Sequence, residues 1–116
     1  MTPSEPVVAQ LMDVVLQRQA QPSDRSYTNK LLAGGVDKIG GKITEEAAEV
    51  VEAAGEPGDE GRDHLVREAA DLIYHLLVML AVRGTTLAAV EAELARRFGI
   101  SGLDEKAARG QPPAKT

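Results

Sequence analysis

The sequence predicts an all-α fold: a small helical bundle completed by pairing with a second copy of itself. Three observations point there. Hydrophobic residues make up 43% of the 116 residues, yet aromatics only 3%, with no Trp. Apolar content that is mainly Ala, Val and Leu favours closely packed helices over a β-sandwich, which draws on aromatic and β-branched residues. Apolar residues also recur at helical spacing in several segments separated by Gly and Pro clusters. Finally, a chain of this length builds one domain with a modest core, and a helical chain this small often completes that core in a symmetric dimer.

Met1 to Glu5 carries Pro, Ser and Thr and is expected to fray. Val7 to Gln19 is the first predicted helix, with a stripe of Val7, Val8, Leu11, Val14 and Val15. Arg18 continues the phase of that stripe with a charge, and Pro22-Ser23-Asp24 then breaks the helix. Ser26 or Thr28 caps a short helix that ends at Gly34-Gly35. The next long helix runs from Val36 to Ala54, with Val36, Ile39, Ile43, Ala47, Val50 and Ala54 on one stripe that Val51 widens. Gly40-Gly41 weakens it by about 1 kcal/mol per Gly relative to Ala. A kink, a close backbone approach, or a helix start delayed to near Lys42 is therefore expected there.

Gly55 to Gly61 reads as a loop, and Arg62 to Val82 as the most apolar helix. Leu65, Ala69, Leu72, Ile73, Leu76, Leu77 and Leu80 cover a face wide enough to be buried on more than one side. Gly84 ends it, and Thr85 or Thr86 caps a last helix striped by Leu87, Val90, Leu94 and Phe98, which Gly99 stops. Arg96-Arg97 suit the dipole at its end. Ser101 to Arg109 adds at most a short helical turn, and Gly110 to Thr116 is expected to be disordered. The reading is one domain, 1–116, with a core of about 7–109.

The formal net charge of -5, from 13 basic and 18 acidic residues, argues against a general nucleic-acid binder. A small phosphorylated substrate stays open, because a cation held by the acids reverses the local sign. With no Cys, disulfide and thiolate chemistry are excluded. No stretch reaches the apolar length of a membrane span and no signal peptide is visible, so a soluble cytoplasmic protein is expected.

Two acidic runs carry the chemistry: Glu45-Glu46-Ala47-Ala48-Glu49 and Glu68-Ala69-Ala70-Asp71. Acids three or four apart on a helix share one side and repel by roughly a few tenths of a kcal/mol per pair. Glu46 borders the apolar stripe of its helix, Glu49 lies about 60° beyond it, and Glu45 and Glu52 are further round. Glu68, His75 and Asp71 line one edge of the following helix, and the short loop between makes the two helices antiparallel neighbours. Glu46, Glu49, Glu68 and Asp71 together suit a hard cation. A solvated acidic face is the plain alternative, and the set does not choose between magnesium, manganese and a di-iron site. With only His64 and His75 in the chain, the Glu-x-x-His pairs of a di-iron bundle are disfavoured. His75 reads as a residue behind the ligands or at an interface. Lys30, Lys38 and Lys42 are ordinary surface lysines unless phosphates lie near, and no P-loop is present.

Glu45-Glu46-x-x-Glu49, an eighteen-residue gap, then Glu68-x-x-Asp71 resembles the signature of the all-α MazG-like nucleotide pyrophosphatase superfamily. Ser26-Tyr27-Thr28-Asn29-Lys30-Leu31, Lys38-Ile39 with Lys42, and Ala70-Asp71-Leu72-Ile73-Tyr74-His75-Leu76 resemble more narrowly the phosphoribosyl-ATP pyrophosphatases of histidine biosynthesis, from about Val8 to about Arg109. The resemblance implies a MazG-like bundle, a homodimer and Mg2+. It implies hydrolysis of the α–β phosphoanhydride of phosphoribosyl-ATP to phosphoribosyl-AMP and pyrophosphate. Carried over, Glu46, Glu49, Glu68 and Asp71 hold the metal, and Glu45 is a ligand through water or a base, with Glu49 the other catalytic candidate. Lys30, Lys38 and Lys42 become phosphate contacts, and Ser26, Tyr27, Thr28 and His75 substrate contacts. Gly41 and Thr44 depart from the family pattern, which again puts the helix start near Lys42 in question.

Two other readings compete. A MazG-like house-cleaning enzyme acting on ordinary or damaged nucleoside triphosphates shares the acids and differs in substrate contacts. A non-catalytic helical interaction module shares the fold and predicts no magnesium-linked stabilisation.

Overall fold

The computed structural model describes residues 5–23 and 25–98. The described residues form four helices, with no strand among them: α1 (Val7–Ala20), α2 (Tyr27–Ala54), α3 (Gly58–Val82) and α4 (Leu87–Arg97). The expectations for Met1 to Ser4, Gly99, the 101–109 turn and the 110–116 tail lie outside the described residues. The chain divides into one compact unit that runs to Thr85 and a second that begins at Thr86.

In the first unit α2 and α3 make the main pairing and α1 packs on both. The start of α2 is fixed by Ser26, whose side-chain oxygen accepts a hydrogen bond from the Asn29 backbone N–H at 3.3 Å. The same oxygen accepts from the Arg18 guanidinium at 2.7 Å, and the Asn29 side-chain amide donates to the Arg18 carbonyl at 2.7 Å. Arg18 therefore replaces the last apolar residue of its stripe with a clamp on the next helix.

α2 is continuous by hydrogen bonding but contains one break. Gly35 sits at φ 71°, ψ -166°, a region essentially reserved for glycine. Before the break, Tyr27 and Thr28 reach His75 and Tyr74, while Leu32 and Ala33 line a cavity with Val82. After it, Gly40 lies beside Met79, and Glu46 lies beside Glu68 and Asp71. The chain thus runs up α3, turns at Gly35, and runs back down antiparallel to it. The turn expected at Gly34-Gly35 is present. The expected kink, close approach or delayed start at Gly40-Gly41 is not: the helix passes straight through, and Thr44 hydrogen-bonds the Gly40 carbonyl at 3.0 Å. Neighbouring α3 packing outweighs the low propensity of the pair.

α3 starts at Gly58, four residues earlier than the Arg62 expected from its apolar run, with Asp59 and Glu60 in a first turn that favours acids. It ends in a Schellman turn: Thr85 N–H to Leu80 carbonyl at 2.9 Å and Gly84 N–H to Ala81 carbonyl at 3.0 Å, with Gly84 at φ 72°.

The core is Met12, Val15, Leu31, Ile39, Ala53, Leu77, Val78 and Ala81. Met12, Leu31, Ala53, Val78 and Ala81 were not in the predicted stripes, and Val7 is 78% exposed. On α2 the buried line is Ile39, Glu46 and Ala53, with Ile43 and Val50 half-buried, whereas Val36, Ala47, Val51 and Ala54 face outward. On α3, Val66, Ile73 and Leu76 are likewise exposed, so within one chain this helix is buried on one side only. The predicted stripes merged two faces that the chain separates. α4, in the second unit, is capped by Thr86, whose hydroxyl accepts from the Ala89 N–H at 3.3 Å. It carries Glu93 hydrogen-bonded to both Arg96 and Arg97, which hold its carboxyl down at about 2. Among the described residues no single helix is long and apolar enough to cross a membrane.

The two glycine sites respond oppositely to alanine. Gly35→Ala is expected to cost about 1–3 kcal/mol of stability. Gly41→Ala, in regular helix with open space at the Cβ position, is expected to add about 0.5–1 kcal/mol. Urea denaturation of the two variants beside the wild type measures both signs.

Candidate active site

The antiparallel run of α2 and α3 brings the two acidic segments together. One carboxylate oxygen from each of Glu46, Glu68 and Asp71 lies within 4.8 Å of the others. Around an octahedral Mg2+, ligand oxygens stand about 3 Å apart when adjacent and about 4 Å apart when opposite, so small side-chain movements convert this spacing into a coordination set. Glu49 stands on the next turn of α2, close enough to Glu68 for the two acids to affect each other's titration.

Burial makes this more than a surface cluster. Glu46 is 9% exposed and the Glu68 side chain 14%. Glu46 Oε2 and Glu68 Oε2 are both buried without a hydrogen-bond partner. An ionised buried oxygen with no donor is costly, and its usual compensation is a paired charge or a metal. The energetic cost shows in the acid strengths. Burial pushes the Glu46 carboxyl above the ordinary carboxylate range; the Glu49 and Asp71 charges push the same way, against a hydrogen bond from Glu68. Glu49 is raised first by its hydrogen bond to Glu68, then by burial and the Glu68 charge. Four hard oxygen donors, two of them orphaned, fit a divalent cation such as Mg2+ or Mn2+.

The remaining predicted site residues fall in three places. Glu45 points outward, with Lys42 Nζ 4.0 Å from its Oε2, and stays out of the carboxylate cluster. Lys38, Lys42, Glu46 and Glu49 follow one line along α2 at intervals of four, four and three residues, so the two lysines extend the acidic site along the helix. Lys30 is exposed on the other side of the Gly35 turn.

Ser26 and Thr28 point inward. Ser26 is the buried cap described above, and Thr28 Oγ1 meets the Tyr74 hydroxyl at 2.6 Å. His75 is 5% exposed, its Nδ1 2.8 Å from the Asp71 carbonyl and its Nε2 3.3 Å from the Tyr27 hydroxyl. A carbonyl only accepts, so Nδ1 carries a proton and donates it to Asp71, while Nε2 meets the Tyr27 hydroxyl. Tyr27, half exposed, stacks on Tyr74 at 6.3 Å between centroids. This set ties the first arm of α2 to the turn of α3 that carries Asp71.

Tyr74, Arg18, His64 and Glu56 were not among the predicted site residues. His64 Nδ1 is 2.9 Å from Glu56 Oε1 and its Nε2 3.4 Å from Glu68 Oε1. The i, i+4 spacing from His64 to Glu68 was legible; the bridge from Glu56, before the helix begins, was not. A cavity of about 460 Å3 lined by Gln17, Arg18, Gln21, Ser23, Arg25 and Ser26 includes none of the four acids.

The phosphoribosyl-ATP pyrophosphohydrolase family profile matches residues 8–98, nearly the whole described chain. The chain belongs to the phosphoribosyl-ATP pyrophosphohydrolase family. It is similar to a phosphoribosyl-ATP pyrophosphatase of Rhodopirellula baltica, 54% identical over 105 residues, which covers 90% of this chain and 85% of the relative. Its similarity to the phosphoribosyl-ATP pyrophosphatase of Paramagnetospirillum magneticum is 49% identity over 90% of this chain and 94% of the relative. For that of Trichlorobacter lovleyi it is 49% over 94% and 98%. As a phosphoribosyl-ATP pyrophosphohydrolase family chain, it has its matched segment spanning the Ser26 cap, the lysine line and both acidic runs.

The raised acids set a pH dependence. Their folded values lie above the ordinary carboxylate value, so the folded state holds extra protons between the two, and stability falls as pH rises through that window. With divalent ions chelated, the melting midpoint is expected to fall, by this contribution, as pH rises above the ordinary carboxylate value. Glu46→Gln, which removes a buried charge, is expected to raise the chelated midpoint at pH 7 and flatten that slope.

Proposed function

We propose that this chain is a phosphoribosyl-ATP diphosphatase, hydrolysing the α–β phosphoanhydride of phosphoribosyl-ATP to phosphoribosyl-AMP and pyrophosphate in histidine biosynthesis. The observation that carries it is the convergence of Glu46, Glu68 and Asp71, with Glu49 one turn further along α2, in a chain of this family. Mg2+ is the proposed cofactor, held by those four carboxylates; bound there it would neutralise the triphosphate and polarise the bond to be broken. The reading treats 1–116 as one domain.

Each residue then has a task. Glu49 accepts a proton from the attacking water at a carboxylate oxygen. Glu45, at the outer edge beside Lys42, orients that water from the solvent side. Lys38 and Lys42 continue the line of the acids and offset negative charge as it builds on the leaving pyrophosphate. Lys30 and the half-exposed Tyr27 stand on the first arm of α2 and contact the nucleotide. Ser26, Thr28 and His75 act by holding that arm in place, since their polar groups are taken by Arg18, Tyr74, Tyr27 and the Asp71 carbonyl.

A homodimer is part of the same proposal. Val51 at 73% exposure and Val66 at 67%, with Val36, Ile73 and Leu76, leave apolar surface on the outer sides of α2 and α3, and a small helical chain gains by covering it. Sedimentation equilibrium is expected to give twice the 12.3 kDa of one chain.

Pyrophosphate release decides the substrate. Phosphoribosyl-ATP is expected to be turned over in Mg2+ and plain ATP far more slowly; equal rates favour a general nucleoside triphosphate pyrophosphatase. Glu49→Gln is expected to lower kcat/KM by about a hundredfold or more with an unchanged helical circular-dichroism spectrum. Full activity of that variant in saturating Mg2+ contradicts the assignment.

A further inference from the structure

His64 stands one turn before Glu68 on α3 and faces two carboxylates. Its Nδ1 lies 2.9 Å from Glu56 Oε1, and its Nε2 lies 3.4 Å from Glu68 Oε1. The ring spans the two carboxylates, one facing each nitrogen. Glu56 belongs to the segment joining α2 to α3, so the ring is fixed from outside its own helix. The contact leaves the two oxygens of Glu68 in different situations: Oε1 is engaged by the imidazole, while Oε2 is buried with no hydrogen-bond partner, in the same condition as Glu46 Oε2.

We propose that His64, itself steadied by Glu56, is a positioning residue that holds the Glu68 carboxylate in the orientation that binds the divalent cation. The inference rests on the metal reading of the four acids. Groups that orient a metal's ligands typically contribute 10–100-fold to its affinity. Glu68 needs such control because it faces like charges, one oxygen each of Glu46 and Asp71 lying within 4.8 Å of one of its own. A carboxylate free to rotate among like-charged neighbours would turn either oxygen away from the cluster. The imidazole removes that freedom by occupying one oxygen.

A positioning role and a plain charge effect predict opposite signs. Loss of a positive group beside a cation site strengthens cation binding if only charge matters; loss of an orienting contact weakens it. Mn2+ titrations followed by the paramagnetic resonance of the free ion report affinity without turnover. His64→Ala is expected to weaken Mn2+ binding about tenfold or more, Glu56→Gln to weaken it less, and His64→Gln, whose amide can still donate to Glu68, to recover most of the loss. Melting midpoints of the chelated variants within a few degrees of wild type show that the fold is kept. Wild-type affinity or tighter binding in His64→Ala overturns the positioning role while leaving the metal site standing. Absence of Mn2+ binding by the wild-type chain overturns the metal reading and this inference with it.

Discussion

The placement of two buried carboxylate oxygens, Glu46 Oε2 and Glu68 Oε2, with no donor to satisfy them is the constraint around which this chain is built. Folding alone does not reward it. Like charges face one another across α2 and α3, burial raises Glu46, and hydrogen bonding with Glu68 raises Glu49. A chain accepts such local frustration where function uses it. The apolar core beside the site, with Ile39 on α2 and Leu77 and Val78 on α3 buried, holds the two helices together.

Several features of the fold serve that approach. Ser26 starts α2 while clamped by Arg18 from α1. Gly35 then reverses the chain, so the first arm of α2 braces α3 near His75 and the second returns along it to present Glu46 and Glu49. His75 links Tyr27 to the backbone of Asp71, so the brace acts on the turn that carries one of the acids. Lys38 and Lys42 continue the line of Glu46 and Glu49 along α2.

Much of this was legible in the sequence, and the residues show why. The i, i+3 acids, the Ser26 and Thr86 caps and the Gly35 and Gly84 stops are local features, and local physics fixed them. Gly40-Gly41 misled because propensity is a weak term beside the α3 packing that carries the helix through. Val36 and Val51 read as core because helical phase alone cannot tell which of two apolar faces meets the rest of its own chain. The family resemblance implied substrate contacts at Ser26 and Thr28; their hydroxyls turn inward to Arg18 and Tyr74, partners 8 and 46 residues away. The His64 bridge to Glu56 needed the observed start of α3 at Gly58, which moved that helix four residues towards Glu56.

Buried, unpartnered carboxylates held against one another should be stabilised by a divalent cation more than by any change elsewhere in the chain. A titration of the melting midpoint with Mg2+ at pH 7 tests this most directly. Binding at ten times the dissociation constant contributes about 1.4 kcal/mol, which for a domain of this size is a rise of roughly several degrees, and Glu46→Gln should lose most of it. A wild-type midpoint that stays flat through millimolar Mg2+ would contradict the account.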